Sequence, residues 1–285
     1  MQIQINTFIQ EQLKHLTNKT FSKKYINQYI VPIIKNINDS KNDKFIIAGS
    51  QGSGKSTLTA VLKLVLEKFY KKKVMLLSID DYYLSKNKRL KLSKKIHPLL
   101  ITRGVPGTHN IAALRKDIIN FQKKKFPIVA PLFNKLKDDI SSKKKIIKKA
   151  EILLLEGWCC GSTPINREYL FNNINHLEST LDKNKLWRQY YNSQLQKDYK
   201  KVFSLFDQQI YIQAPSFTYI LKWRYAQEKS NALKSKNEKF MKKTDLRKFI
   251  QHYEKLTKWM IKTMPAKANM IIKIDSNQKI KKMVI

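Results

Sequence analysis

The sequence predicts an α/β fold in which helices and a mostly parallel central sheet of about five strands form three layers. Three observations predict this fold. Short apolar runs alternate with helix-periodic segments from about residue 44 to residue 275. The first apolar run leads into a glycine-rich turn that opens a helix. The 285 residues are 42% hydrophobic and 27% charged, which is typical of a chain that buries a full core.

The elements follow in order along the chain. Apolar residues recur at helical spacing over residues 1–43, which predicts an N-terminal helical extension. Apolar runs predict strands at residues 44–49, 74–79, 151–155, 209–213 and 270–274. Helical periodicity predicts helices at residues 55–70, 111–122, 186–205, 217–230 and 246–262. Since no linker rich in Gly, Ser or Pro interrupts this pattern, we expect one domain over residues 1–285 with helical insertions.

The chain is strongly basic, with 57 basic and 21 acidic residues and a net charge of +36. Such a charge is compatible with a nucleic-acid partner. The basic residues, however, are 50 Lys and only 7 Arg, and the same chain carries 33 Ile and 20 Asn. Lys, Ile and Asn have A/T-rich codons, so drift in base composition explains the excess, while Arg, which suits phosphate and base recognition, is scarce. We therefore expect no nucleic-acid partner, and the role of the charge stays open.

The cysteines and the hydropathy exclude two further classes of protein. Cys159 and Cys160 are adjacent and are the only cysteines, which excludes a disulfide framework. No apolar run reaches the roughly 18–20 residues that cross a bilayer, and residues 1–14 lack a secretory apolar segment. We therefore expect a cytoplasmic protein with no membrane partner, whose oligomeric state the sequence does not specify.

A glycine-rich segment carries the strongest motif. The seven glycines fall in three short segments, at residues 49–54, 104–107 and 157–161. The first fits G-x-x-x-x-G-K-[ST] between a strand and a helix, which is the pattern of a phosphate-binding loop, or P-loop. Its N–H groups would surround phosphate oxygens, Lys55 would bridge the β- and γ-phosphates, and Ser56 would ligate Mg²⁺. The predicted nucleoside triphosphate site comprises Gly49, Ser50, Gln51, Gly52, Ser53, Gly54, Lys55, Ser56 and Thr57.

Acidic residues follow two of the predicted strands. Asp80 and Asp81 come after the second strand, and Glu156 comes after the third. A carboxylate at a strand end beside a P-loop can accept the proton of an attacking hydroxyl, and a second carboxylate there suits Mg²⁺. The guanine-reading pattern Asn-Lys-x-Asp of GTPases is absent, because residues 134–137 lack its carboxylate. These residues favour a small-molecule kinase, with Asp80 as the base and Glu156 at the metal.

Several further motifs occur in a fixed order. They are residues 49–56, Ser-Ile-Asp-Asp-Tyr-Tyr at 78–83, Arg-Gly-Val-Pro-Gly-Thr-His at 103–109, Glu-Gly-Trp at 156–158, Ala-Pro at 214–215, Trp223, Arg224, Gln227 and Glu228, and residues 249–257. This series resembles the D-glycerate 3-kinase group. That group belongs to the branch of P-loop kinases that includes phosphoribulokinase, uridine kinase and pantothenate kinase. The resemblance covers about residues 44–275.

The resemblance implies a P-loop NTPase fold and an activity. The implied reaction uses ATP and Mg²⁺ and transfers the γ-phosphoryl group to the hydroxyl of a small molecule, with D-glycerate as the best acceptor. Asp80 matches the family's catalytic carboxylate, Glu156 matches the acid that assists Mg²⁺, and Arg224 matches a cationic lid that would act on the phosphoryl group with Lys55. Contacts with the acceptor are expected for Asp81, Tyr83, Arg103, Thr108 and His109.

Two residues depart from the family pattern. Asn110 and Asn134 stand where relatives have Asp, and each change removes a charge while keeping the size of the side chain. The identity of the acceptor and full activity therefore stay open. The alternatives are a kinase for a nucleoside or pantothenate, and a nucleotide-binding protein with nucleic-acid affinity and no kinase turnover.

Overall fold

The structure, a computed structural model, describes residues 2–234 and 243–285 of the chain. The strands in these residues are β1 (Lys44–Gly49), β2 (Val74–Ser78), β3 (Ile128–Asn134), β4 (Asp139–Ile147), β5 (Ile152–Gly157), β6 (Gln208–Gln213), β7 (Met270–Ile274) and β8 (Ile280–Val284). The central sheet has the order β2-β5-β1-β6-β7-β8, in which only β8 is antiparallel to its neighbour. β3 and β4 form a separate antiparallel hairpin. The predicted α/β fold with a mostly parallel sheet is confirmed.

Helices connect the strands and precede the sheet. They are α1 (Gln2–Thr17), α2 (Lys23–Tyr25), α3 (Val31–Asn38), α4 (Lys55–Phe69), α5 (Lys86–Lys95), α6 (Ile111–Gln122), α7 (Arg167–Phe171), α8 (His176–Thr180), α9 (Leu186–Gln194), α10 (Lys200–Phe203), α11 (Phe217–Lys234) and α12 (Lys243–Thr263). Five-residue π-helical turns lie at Ile26–Ile30 and Leu195–Tyr199, and 3₁₀ turns at Ile79–Tyr82, Pro98–Ile101 and Met264–Ala266. None of the described helices combines the length and the apolar character that a membrane crossing needs.

The core forms where apolar runs and helical stripes meet. β5 is buried along its whole length and β1 from Phe45 onward, as expected for parallel strands covered on both faces. α4 buries Leu58, Val61, Leu62, Val65 and Leu66, which recur at the spacing of one helical face. This face packs against β1, β2 and β5, and α1 and α3 contact α4 in turn. Each fully buried Leu or Val contributes roughly 1.5–3 kcal/mol relative to an exposed one.

The structure differs from the prediction in several elements, among them the short helices α5, α7 and α8, which were not predicted. The hairpin β3–β4 and the edge strand β8 were not predicted, because β4 and β8 are lysine-rich and β3, although apolar, contains Pro131, which argues against a strand. The predicted strand at residues 74–79 ends at Ser78, so a 3₁₀ turn holds the two aspartates that follow it. The predicted helix at residues 186–205 is divided by the second π-helical turn. The extent of the domain, over residues 1–285, stays a prediction.

Candidate active site

The P-loop has the strand–loop–helix setting that its motif requires. β1 ends at Gly49 and α4 begins at Lys55, so residues 50–54 form the turn between them. Gly52 has a φ of 73°, and a Cβ on this residue would lie 2.7 Å from the Cβ of Trp223. Only glycine fits both conditions without strain. The turn therefore brings backbone N–H groups together at the start of α4, where the helix dipole favours phosphate.

One cavity of about 670 Å³ contains most of the predicted site residues. It lies where β1, β5 and the turn after β2 end at the same edge of the sheet. The predicted residues that line it are Gln51, Gly52, Ser53, Gly54, Lys55, Ser56, Thr57, Asp80, Tyr83, Arg103, Glu156 and Arg224. Gly49, Ser50, Asp81, Thr108 and His109 lie outside this lining. The sequence motifs thus converge on one place, although they are far apart in the chain.

Asp80 is the carboxylate at the centre of the cavity. Its Oδ2 accepts a hydrogen bond from Lys135 Nζ at 2.8 Å, and its Oδ1 accepts one from the Tyr83 hydroxyl at 3.0 Å. Burial raises the pKa of Asp80, but Lys135 and Lys55 together lower the pKa by more, so it lies well below the usual value of an aspartate. Asp80 is therefore ionised at neutral pH and interacts with the P-loop lysine.

Several polar atoms around the P-loop are buried without a hydrogen-bond partner among the described residues. They are Ser50 Oγ, Ser53 Oγ, the side-chain amide atoms of Gln51, and Glu156 Oε2. Buried polar atoms in proteins are nearly always hydrogen-bonded, so a group of such atoms around one cavity leaves room for water, an ion or a polar ligand as the partner. The donors suit phosphate oxygens, and the free Glu156 oxygen suits a cation. The donor set therefore fits a triphosphate with a divalent metal ion.

The predicted acceptor residues divide into two sets. Tyr83 lines the cavity, and its ring stacks on His109 at a centroid distance of 4.4 Å. Asp81 instead accepts the backbone N–H of Phe133 at 3.2 Å, and the Thr108 hydroxyl donates to Val105 O and accepts from Gly104 N. The side chains of Asp81 and Thr108 therefore hold loops in place. Their contact with an acceptor stays a prediction without geometric support.

His109 is a neutral, buried ring in this arrangement. Its Nδ1 lies 2.6 Å from the Tyr199 hydroxyl, which also accepts the Gly107 N–H at 2.9 Å. Burial lowers the pKa of His109 from 6.5 to about 4, although the Asp80 charge opposes this shift. The π-helical turn at Leu195–Tyr199 brings Tyr199 to this position. Tyr199 thus holds the loop at residues 103–109 in place through its contacts with His109 and Gly107.

This pKa has a consequence for stability. Between pH 6.5 and about pH 4 the unfolded chain binds a proton on His109 and the folded chain does not. The free energy of unfolding should therefore fall as the pH drops through this range, by up to about 3 kcal/mol from this group. Urea unfolding between pH 4 and 7.5 measures it. His109→Gln should reduce the slope with pH, whereas a change at the exposed His15, His15→Gln, should not. Equal slopes in all three proteins would contradict the prediction.

Arg103 lines the cavity but is paired with the protein itself. Its guanidinium forms an ion pair with Asp138 in the turn of the β3–β4 hairpin and lies 5.5 Å from the centre of the Phe133 ring. Arg89 is fully buried and binds the other oxygen of Asp138 at 2.9 Å. Its remaining donors bind the carbonyl oxygens of Leu84, Ile101 and Asp138. These contacts attach the hairpin turn to the loop that carries Arg103.

The two departures from the family pattern have a structural role that Asn performs well. Asn110 is the N-cap of α6, and its Oδ1 accepts the N–H of Ala113 at 3.2 Å. Asn134 Oδ1 accepts the N–H groups of Leu136 and Lys137, both at 3.0 Å. Asn and Asp are about equally good in such caps and turns. Neither side chain lines the cavity. The charges that relatives carry at these two positions are therefore absent from a helix cap and a turn, and not from the cavity.

The chain is similar in sequence to kinases from two yeasts. No protein-family model matches the chain. An uncharacterized kinase of Schizosaccharomyces pombe, mug58, is 30% identical over 219 residues, which are 73% of this chain and 76% of that protein. The chain belongs to the P-loop kinases. The probable ATP-dependent kinase TDA10 of Saccharomyces cerevisiae is 35% identical over 133 residues, 41% of this chain and 46% of that protein.

Solved structures agree with the fold of this kinase. A D-glycerate 3-kinase from Cryptococcus neoformans superposes with a TM-score of 0.71 at 21% identity, and the match covers 92% of this chain and 98% of that one. The protein YGR205w superposes with a TM-score of 0.66 at 24% identity, over 92% of this chain and 95% of that one. These structures show the fold; the kinase relatives above make the chain a phosphotransferase with a hydroxyl acceptor, and membership of this family implies the use of ATP.

Sequence reasoning missed contacts on both sides of the kinase P-loop. The Gln278 side-chain amide, in the turn between β7 and β8, donates to the carbonyl oxygen of Gly52. The Trp223 indole donates to Ser276 O in the same turn at 2.8 Å. Tyr25, from the N-terminal extension, accepts the Ile280 N–H at 2.8 Å. Trp223 belongs to one of the motifs of the series, but no sequence pattern links these residues to the P-loop or to one another, so only the fold could reveal these contacts.

The kinase site also contains a lysine whose role the sequence did not indicate. Sequence reasoning assigned Lys135 no role, yet its ammonium group contacts Asp80. Arg224, predicted from the resemblance, lies on α11 and lines the same cavity. The side chains of Gln227 and Glu228, from the same motif, lie outside the described part of the structure. The signal for Lys135 was its place in Phe133-Asn134-Lys135, where relatives have Phe-Asp-Lys.

Proposed function

We propose that this kinase transfers the γ-phosphoryl group of ATP to a hydroxyl of D-glycerate, giving ADP and a phosphoglycerate. The observation that carries the proposal is that Lys55, Asp80, Arg103, Glu156 and Arg224 line one cavity beside the P-loop. The choice of acceptor is supported by names given to similar proteins. One is the fungal structure above, and another is the chloroplastic D-glycerate 3-kinase of Arabidopsis thaliana, 24% identical over 215 residues, 71% of this chain and 44% of that protein.

Each residue of the cavity has a role in this proposal. The P-loop N–H groups and Lys55 hold the triphosphate and neutralise its charge, and Arg224 adds a cation on the transferring group. The acceptor oxygen forms a bond to the γ-phosphorus while the bond from that phosphorus to the ADP oxygen breaks. The hydroxyl proton passes to Asp80, which later releases it to solvent. Catalysis in this scheme comes mainly from positioning and charge neutralisation.

A divalent metal ion fits the same donor set. Ser56 and Glu156 would hold Mg²⁺, as Ser56 lies in the first turn of α4 next to Lys55 and Glu156 has a buried oxygen without a described partner. The described residues hold no cluster of three His, Cys, Asp or Glu side chains for a metal. Phosphate oxygens and water would therefore supply the other ligands, as is common for Mg²⁺. When bound, Mg²⁺ would neutralise phosphate charge during transfer.

Two observations suggested the alternative of a nucleotide-binding protein without turnover, and the structure weakens one of them. They are the charge of +36 and the two missing aspartates. Asn110 and Asn134 act in a helix cap and a turn outside the cavity lining, so their exchange leaves the cavity unchanged. The functional role of the charge stays open, and the absence of a nucleic-acid partner and a cytoplasmic location stay predictions.

An acceptor screen tests the proposal. Purified protein is incubated with ATP, Mg²⁺ and one of D-glycerate, pantothenate, uridine or ribulose 5-phosphate, and ADP formation is followed. We expect ADP formation that depends on D-glycerate, with stoichiometric phosphoglycerate detected by ³¹P NMR. Omission of Mg²⁺ should abolish it. Turnover with pantothenate or uridine alone would replace the acceptor, and absence of turnover with every acceptor would overturn the proposed function.

A further inference from the structure

Both oxygens of the Asp80 carboxylate are already engaged in the structure. Oδ1 accepts from the Tyr83 hydroxyl, and Oδ2 accepts from Lys135 Nζ in a charge-assisted hydrogen bond of 2.8 Å. Tyr83 is buried and stacked on His109, so its contact belongs to the rigid floor of the cavity. An acceptor hydroxyl that approaches Asp80 must therefore compete with Lys135.

Lys135 can leave Asp80 without any change in the protein backbone. Asn134 fixes the turn that carries Lys135, because its Oδ1 accepts the N–H groups of Leu136 and Lys137. Asp138 fixes the same turn through its ion pairs with Arg89 and Arg103. The Lys135 side chain itself is 61% exposed in the ion pair, and Asp80 is 28% exposed. The lysine end of this ion pair is open to solvent, and a lysine side chain has several rotatable bonds. An incoming anion can therefore draw its ammonium group away.

Lys135 lies beside a second cation that also has a protein partner. Arg103 contacts Phe133, two residues before Lys135, and forms an ion pair with Asp138. The two cations and Asp80 line the same cavity. Lys55, in contrast, begins α4 and belongs to the phosphate-binding loop. The hairpin and its adjoining loop thus supply two positive charges separately from the phosphate-binding residues.

We propose, on the basis of the proposed function, that Lys135 binds the anionic group of the acceptor and thereby exposes the Asp80 oxygen that receives the hydroxyl proton. Without an acceptor, Lys135 covers Asp80. When a hydroxy acid binds, its carboxylate takes Lys135, and the hydroxyl of the same molecule takes the vacated place on Oδ2. The transfer then proceeds as above, with one O–P bond formed, one broken, and the proton on Asp80.

This arrangement selects the acceptor by charge and protects ATP. A neutral alcohol has no group to hold Lys135, so it competes for Asp80 less well than a hydroxy acid of the same shape. Water is at the same disadvantage, which limits ATP hydrolysis when no acceptor is bound. Lys135 would therefore be a specificity-determining residue of the kinase, and small hydroxy acids would be its class of acceptor.

The test compares D-glycerate with glycerol, which has a neutral hydroxymethyl group in place of the carboxylate. Lys135→Met should lower kcat/KM for D-glycerate by about 10- to 100-fold, the value of one charge-assisted contact. It should leave kcat/KM for glycerol unchanged or higher, and raise ADP formation without an acceptor. Lys137→Met, on the same turn and exposed, is the matched control and should behave like the wild type. Lys135→Arg should keep most of the preference for D-glycerate.

Three outcomes would overturn the inference while the proposed function stands. An equal loss with both acceptors would mean that Lys135 contacts the phosphates or stabilises the fold. Unchanged kinetics with both would mean that it has no role. Lys135→Gln is the variant to use if Lys135→Met does not fold. If it left the ratio of kcat/KM for D-glycerate to kcat/KM for glycerol unchanged, Lys135 would not select the acceptor by charge. If the wild type shows no acceptor-dependent turnover with any compound, the proposed function fails and the inference fails with it.

Discussion

Replacing Asp80 with asparagine should lower kcat by roughly 10²- to 10⁴-fold, the usual contribution of a general base, with little change in ATP affinity. Asparagine keeps the size of the side chain and an oxygen for the Tyr83 hydroxyl, but it cannot take up the proton of the acceptor. Steady-state turnover with D-glycerate gives kcat, and calorimetry with a non-hydrolysable ATP analogue gives the affinity.

A second carboxylate provides the control for Asp80→Asn. Asp207 is half-exposed, pairs weakly with Lys44 at the amino end of the sheet, and lies outside the cavity that Asp80 lines. Asp207→Asn should therefore keep kcat within about twofold, as surface changes usually do. Wild-type turnover in Asp80→Asn would remove Asp80 as the base, whereas a large loss in both variants would point to a general effect of charge.

Replacing Lys55 with methionine should reduce kcat/KM for ATP by at least about 10²-fold. Methionine keeps much of the length of the side chain but removes the cation that the P-loop places against the phosphates. The same change should weaken binding of the ATP analogue, which separates it from Asp80→Asn. Because Lys55 lowers the pKa of Asp80 in the structure, its loss also raises that pKa.

Lys63→Met is the matched control on the same helix. Lys63 lies two turns further along α4, where it pairs with Glu67 at 2.9 Å and donates to Val74 O. Its removal should lower the free energy of unfolding slightly and leave kcat/KM for ATP unchanged. If Lys55→Met bound and used ATP as the wild type does, the loop would not be the phosphate site of this kinase.

Local sequence patterns were sufficient for most of the sheet and for the centre of the site. The five parallel strands of the sheet are apolar runs, as expected for strands covered on both faces, so they could be recognised as strands. The P-loop motif predicts its own strand–loop–helix conformation. Lys55, Asp80 and Glu156 could be assigned to one cavity because parallel strands end at a common edge. The antiparallel strands β4 and β8 were missed for the opposite reason, since a solvated, lysine-rich strand has no apolar signature, and Pro131 interrupts the apolar run of β3.

The direction of individual side chains could not be predicted. Asp81 follows Asp80 directly, yet the turn directs it to the backbone of Phe133 and away from the cavity. Thr108 and His109 were expected to contact the acceptor, but in the structure Thr108 bonds to Val105 O and His109 to the Tyr199 hydroxyl. Packing of the whole loop decides where each group points. Lys135 entered the site only through the fold, which brings the hairpin turn back over residue 80.

The contacts on either side of Gly52 have a consequence for nucleotide affinity. The loop that would surround the phosphates is held on one flank by α11, through Trp223, and on the other by Gln278 of the β7–β8 turn. A loop secured in this way has little conformational entropy left to lose when a ligand arrives. The kinase would thus bind its nucleotide with a preorganised loop, whereas on the acceptor side the proposed movement of Lys135 would accompany binding.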